Sequence, residues 1–92
     1  MPISVVFRPQ GYTVEKHKQV LARLQSAGQA APPGRLHHQA LARDGAIDMV
    51  VDVWQSPEQL EQFGSQLMPI LGEVGVDQPE IEIYEAVLLD AN

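Results

Sequence analysis

Two adjacent histidines, His37 and His38, and one carboxylate, Asp52, are the residues of this chain whose types could move a proton. A histidine held by a carboxylate has a fixed tautomer, which suits a general base that takes a proton from an acidic carbon or a phenol. Four further side chains could hold a small molecule near such a base. Trp54, the only tryptophan, offers a flat ring for stacking and one N–H donor. Tyr84 offers a phenolic hydroxyl, Arg8 a cation for an anionic group, and His17 a second imidazole. The bland alternative is that the histidine and carboxylate are a satisfied polar contact in an interface and that Trp54 is core. A metal site is not expected, because no His-x-x-x-His spacing places two ligands on one helical face. Without cysteine there is no thiolate nucleophile, disulfide or Cys-based zinc site.

These residues must be positioned by six periodic segments. Ile3 to Arg8 is β-branched and aromatic and stops at Pro9, so it reads as a strand. Thr13 is an N-cap candidate for a helix that places His17, Val20, Leu21, Leu24 and Ala27 on one face and ends at Gly28. After the Pro32-Pro33-Gly34 breaker, Arg35 to Ala42 reads as a second strand. Asp44-Gly45 is a hairpin signal, and Ile47 to Gln55 returns as the third strand. Ser56-Pro57-Glu58-Gln59 starts a second helix as N-cap, N1 proline and N3 glutamine, with Pro69 expected to kink or restart it near Met68. Glu80 to Leu89 alternates as the last strand.

The order βαββαβ implies one α+β, ferredoxin-like domain over residues 1–92: a four-stranded antiparallel sheet with both helices on one face. The other face is then uncovered. Assigning the purely apolar sets to the helix side places Ile3, Val5, Phe7, Met49, Val51 and Val53 under the helices. Val6, Val50, Asp52, Trp54, Tyr84 and Leu88 then fall on the open side. A face so apolar calls for a cover, and a second copy of the same sheet would supply one. If Arg43 pairs with Ala46, simple register sets His37 opposite Asp52, whereas a one-residue bulge sets His38 there.

The stretch Pro33-Gly34-Arg35-Leu36-His37-His38, with Val50-Val51-Asp52-Val53-Trp54-Gln55-Ser56 running into a helix, resembles the dimeric α/β-barrel superfamily, which includes antibiotic-biosynthesis-monooxygenase-like proteins. The resemblance implies a homodimer closing through its open sheet faces, and it favours His38 as the partner of Asp52. It also implies a monooxygenase-like or isomerase-like enzyme without a bound cofactor, acting on a small organic molecule. A non-catalytic homodimer that binds a ligand or another protein is the competing function.

Size and charge narrow the partners. A domain of 92 residues buries only roughly 60 to 65% of its unfolded surface, so a covering partner matters. Twelve acidic residues against six basic ones leave a net charge of −6, which repels nucleic acid and anionic membranes. The first residues lack the pattern of a secretion signal, and no apolar run nears the ~20 residues of a membrane span. A cytoplasmic protein is expected. An acylphosphatase-like loop is excluded because Tyr12-Thr13-Val14-Glu15 stands where Phe-Arg is needed, and an RNA-binding sheet because its surroundings are acidic.

Overall fold

The computed structural model describes residues 2–87 and contains β1 (Ile3–Arg8), α1 (Val14–Ser26), β2 (Arg35–Arg43), β3 (Ala46–Trp54), α2 (Pro57–Val74) and β4 (Glu80–Glu85). The strands form one antiparallel sheet in the order β2-β3-β1-β4, and the arrangement is the ferredoxin-like fold. Leu88, assigned to the open face from sequence, lies outside the described residues.

Local signals act as their chemistry requires. Thr13 caps α1 by accepting from the Lys16 N–H at 3.1 Å. At the other end, Gly28 takes φ +75°, with Gly28 N–H bonded to Gln25 O at 3.0 Å and Gln29 N–H to Leu24 O at 2.7 Å, a Schellman ending. Asp44 and Gly45 both take positive φ, 52° and 80°, as a type I′ hairpin turn demands. At the start of α2, Ser56 Oγ accepts from the Gln59 N–H at 3.3 Å. The Gln59 side chain, in place of donating to the cap backbone, accepts from the Ser56 hydroxyl through Oε1 at 3.1 Å. Pro69 lies inside α2, which runs on to Val74, so of the kink or restart expected near Met68 the restart does not occur.

Two bulges control the sheet. Arg43 pairs with Ala46 and Ala42 with Ile47, but Leu41 then pairs with Met49, leaving Asp48 as the extra residue of β3. From there His38 pairs with Asp52 and His37 with Val53. Leu36 is a second extra residue, on β2, because Arg35 pairs with Trp54.

The face assignment of β3 read from its apolar pattern is therefore corrected. Val5 stands opposite Asp52, Ile3 opposite Trp54 and Phe7 opposite Val50, and directly opposed residues share a face. Val50, Asp52 and Trp54 lie beneath the helices with Ile3, Val5 and Phe7, and all six are buried. Met49, Val51 and Val53 lie on the open side with Val6, which pairs with Val51. The apolar rule failed because Asp52 is a buried carboxylate whose hydrogen bonds are all made within the chain, and such a group can sit in a core.

The helices cover the sheet unevenly. Phe63 and Leu71 of α2 and Val20 and Leu24 of α1 enter the core with Trp54. Ile81 and Ile83 on β4 share the face of Phe7 and Val5, yet they are 40% and 56% exposed, so the helices leave the β4 edge uncovered. No helix among the described residues is long and apolar enough to cross a membrane.

Candidate functional site

Asp52 is the only buried charged side chain among the described residues, at 2% exposure, and both its oxygens are occupied. Oδ1 is 2.6 Å from His38 Nδ1, and Oδ2 accepts from Trp54 Nε1–H at 3.2 Å. Strand geometry makes this possible: Asp52 and Trp54 are two apart on β3 and share a face, and the Asp48 bulge brings His38 across from Asp52. A carboxylate accepts only, so His38 carries a proton on Nδ1, and in the neutral ring the lone pair is on Nε2. His38 is part-exposed, with 27% of its side chain in solvent, so that lone pair stands at a boundary between core and water.

The boundary is the wall of a cavity of about 60 Å³ between sheet and helices, whose lining is almost wholly apolar. Phe7, Val20, Leu24, Phe63, Leu67 and Leu71 are among its apolar lining, and its polar lining residues are Tyr12, His17, Arg35, His38 and Asp52. At roughly 10–15 Å³ of such space per water molecule, the cavity has room for about four to six waters, about the bulk of one six-membered ring, and a fused polycycle does not fit.

Tyr12 and Arg35 are functional candidates that reading the sequence missed. Tyr12 is the residue before the Thr13 cap and packs against His17 four positions into the helix, the two ends of a hydrophobic staple. That spacing was the available signal. Its backbone is fastened to the hairpin through Ile47 N–H to Tyr12 O at 2.8 Å, with Val14 N–H to Gly45 O at 2.9 Å beside it. The Tyr12 hydroxyl lies 2.7 Å from His17 Nδ1, and the His17 and His38 rings lie 6.3 Å apart, 29° from parallel. Arg35 shares the helix-side face with His38 because the Leu36 bulge resets the alternation. Its guanidinium is 5.8 Å from the centre of the Phe63 ring, and Nη2 donates to Ala30 O at 3.2 Å.

Burial sets the protonation of this corner. Desolvation, with the neighbouring His38 second, holds His17 below the ordinary histidine value, and desolvation pushes the Tyr12 phenol up to about 12. Desolvation also lowers Arg35, against an opposing pull from Asp52. Both shifts at Tyr12 and His17 favour the neutral side chain in the folded protein, so each weakens folding where the unfolded chain ionises first. Stability is expected to fall as pH rises from about 10, where a free tyrosine titrates, toward about 12, where Tyr12 does. It is expected to fall on the acid side as pH drops below about 6.5, where a free histidine begins to bind a proton that His17 refuses. Denaturant midpoints of the native protein and Tyr12→Phe between pH 8 and 12 test the first limb, and the variant should lose the added alkaline slope. His17→Gln should likewise flatten the acid limb.

The other sequence candidates separate from this cluster. Trp54 is fully buried, stacks at 5.2 Å on Phe63 and does not line the cavity; its N–H serves Asp52. His37 faces the open side opposite Val53. Arg8 and Tyr84 also lie on that side, gathered on Glu82: Arg8 Nε donates to Oε1 at 2.6 Å and the Tyr84 hydroxyl to Oε2 at 2.7 Å. Those two donors hold Glu82 below the usual carboxylate range, Tyr84 foremost. His17, His38 and Asp52 are thus brought together, while His37, Arg8 and Tyr84 stand across the sheet. No group of three or more histidine, aspartate or glutamate side chains among the described residues is arranged to hold a metal.

No protein-family model matches the chain, and no curated protein matches it in sequence. Its fold is shared with solved structures over nearly its whole length. SnoaB, a cofactor-independent oxygenase from Streptomyces nogalater, aligns at TM-score 0.60 and 19% identity over 99% of this chain and 96% of its own. A monooxygenase from the ActVA-Orf6 gene of Streptomyces coelicolor, solved with nanaomycin D, aligns at TM-score 0.58 and 16% identity over 98% and 92%. A conserved protein from Methanosarcina mazei aligns at TM-score 0.63 and 21% identity over 92% of each chain. What these likenesses show is a shared fold.

Proposed function

We propose that this protein is a small, cofactor-independent enzyme that takes a compact organic molecule into the cavity under its helices and removes a proton from it with His38. The observation that carries the reading is the chain Trp54–Asp52–His38, which leaves one basic nitrogen at the wall of a mostly apolar cavity. In that setting a base is fixed in orientation and the water around it is limited, conditions under which general base catalysis contributes about 10²–10⁴-fold.

The oxygenase neighbours suggest the fate of the carbanion that proton transfer creates. A carbanion left on an acidic CH₂ beside a carbonyl can combine with dioxygen to form a C–O bond. The proton held by His38 passes to the peroxide, and loss of water leaves a new carbonyl. The CH₂ has been oxidised, one oxygen atom is retained and the other leaves as water. Without dioxygen, return of the proton to a different atom is isomerisation, and the same residues serve both outcomes.

The reading includes a homodimer joined through the open sheet face. Val6, Met49 and Val51 lie there partly exposed, with Tyr84 beside them more than half exposed. Sedimentation equilibrium at micromolar concentration is expected to give twice the chain mass; a monomer removes the pairing of sheets from the account. The apolar wall also fits a second reading, a protein that binds its ligand and does nothing to it. The two part when small enolisable carbonyl compounds are incubated in D₂O without oxygen. Exchange of their acidic C–H at least about 100-fold above buffer supports the enzyme, and saturable binding without exchange supports the binding protein.

A further inference from the structure

The cavity holds two histidines whose partners are opposite in kind. Asp52 can only accept, so His38 offers a lone pair. Tyr12 can donate, and its hydroxyl has no other partner among the described residues than His17 Nδ1 at 2.7 Å. Were Nδ1 protonated and donating instead, the phenolic proton would be left without an acceptor in an apolar wall, a cost that buried polar groups avoid. Tyr12 therefore donates, Nδ1 accepts, and the proton of His17 sits on Nε2. The suppressed basicity of His17 agrees with a neutral ring. A third polar group completes the set: Arg35 lines the same cavity, and no carboxylate among the described residues forms an ion pair with it.

We infer that the cavity is built for a single-ring carbonyl acid, such as an aryl 2-oxo acid, with its carboxylate on Arg35, its carbonyl oxygen on the Nε2–H of His17 and its acidic C–H at Nε2 of His38. This rests on the proposed role of His38 and adds the groups that choose the ligand. When His38 takes the proton, negative charge moves onto the carbonyl oxygen. A neutral imidazole N–H fixed beforehand stabilises that oxyanion with no reorganisation at the moment of transfer. Tyr12 is a positioning residue, since it acts by setting the tautomer of His17. The proton balance is simple: the C–H bond breaks, the proton goes to His38 Nε2, the electron pair goes to the enolate, and return of the proton restores the ketone.

Phenylpyruvate in D₂O is the probe, with phenylacetone, which lacks the carboxylate, beside it. Deuterium entry into the benzylic CH₂ is monitored by proton NMR, and the tautomer of His17 by the nitrogen-15 shifts of its ring. The native protein is expected to show His17 protonated on Nε2 and to exchange phenylpyruvate at least 10-fold faster than phenylacetone. Tyr12→Phe should mix the tautomers and lower exchange about 10-fold, chiefly in kcat. Arg35→Gln should erase the preference for the acid by raising KM. A His17 ring protonated on Nδ1, or equal rates for the two probes in the native protein, overturns the inference. Either result leaves the role of His38 standing if exchange still occurs and still requires His38, so the two failures can be told apart.

Discussion

Asp52→Asn is expected to lower proton abstraction about 10²–10⁴-fold while the protein stays folded. The carboxylate now meets two donors, Trp54 Nε1–H on Oδ2 and the Nδ1 side of His38 on Oδ1. Asparagine keeps one acceptor and exchanges the other for an NH₂ group. The indole N–H can only donate, so the remaining oxygen is held by Trp54 and the NH₂ faces His38. Nδ1 must then accept, the ring proton moves to Nε2, and the base loses the lone pair it presented to the cavity. The outcome is a well-folded protein with the wrong tautomer. Ring nitrogen-15 shifts of His38 together with exchange rates check it; an unchanged rate would mean that Asp52 does not set the state of His38.

Trp54→Ala is expected to have the largest effect on stability. The indole is fully buried, packs on Phe63 and holds Oδ2 of Asp52, so its removal opens a cavity and strips a buried carboxylate of a donor. Truncating a buried tryptophan costs about 3–5 kcal/mol, a large part of the roughly 5–15 kcal/mol that holds a domain together. For a domain of this length that corresponds to a fall in Tm of about 12–40 °C. Trp54→Phe keeps most of the volume and loses the N–H, at a cost of about 1–3 kcal/mol. Thermal unfolding of the pair separates packing from hydrogen bonding. Equal losses would mean that the bond to Asp52 carries the whole effect.

The order of elements was legible because many of its boundaries are marked by a residue with a backbone reason: Pro9, Thr13, Gly28, Gly45 and Ser56. The pairing of His38 with Asp52 was legible as one of two registers, and the bulge that decides between them was not. Asp48 bears no local mark of being the unpaired residue, since its neighbours Ile47 and Met49 are both good strand formers. That one insertion sets Ile47 and Val50 on the same side, which no strict alternation allows. The mistaken face for Asp52 and Trp54 has a related cause. A pattern rule treats a carboxylate as a surface residue, but here one histidine and one tryptophan satisfy it inside the core. The face of Arg35 is hidden in the sequence by a second insertion, Leu36, whereas the place of Tyr12 before the Thr13 cap is a local signal.

The cavity therefore lies within one chain, between its sheet and its own helices, and the open face is left free for pairing. A base, its carboxylate and the tryptophan behind them are all carried by β2 and β3, the two strands joined by the I′ hairpin. Placing the dyad on paired strands fixes the distance between its members through the sheet itself.

The most direct test of the account is deuterium exchange into the CH₂ of phenylpyruvate by the native protein and by His38→Gln, measured side by side without oxygen. The glutamine variant keeps a donor toward Asp52 and has no basic nitrogen. Exchange well above buffer in the native protein and a loss of about 100-fold or more in the variant is the expected result. Exchange that survives the substitution, or a native protein no faster than buffer with this probe, contradicts the claim that His38 is the base.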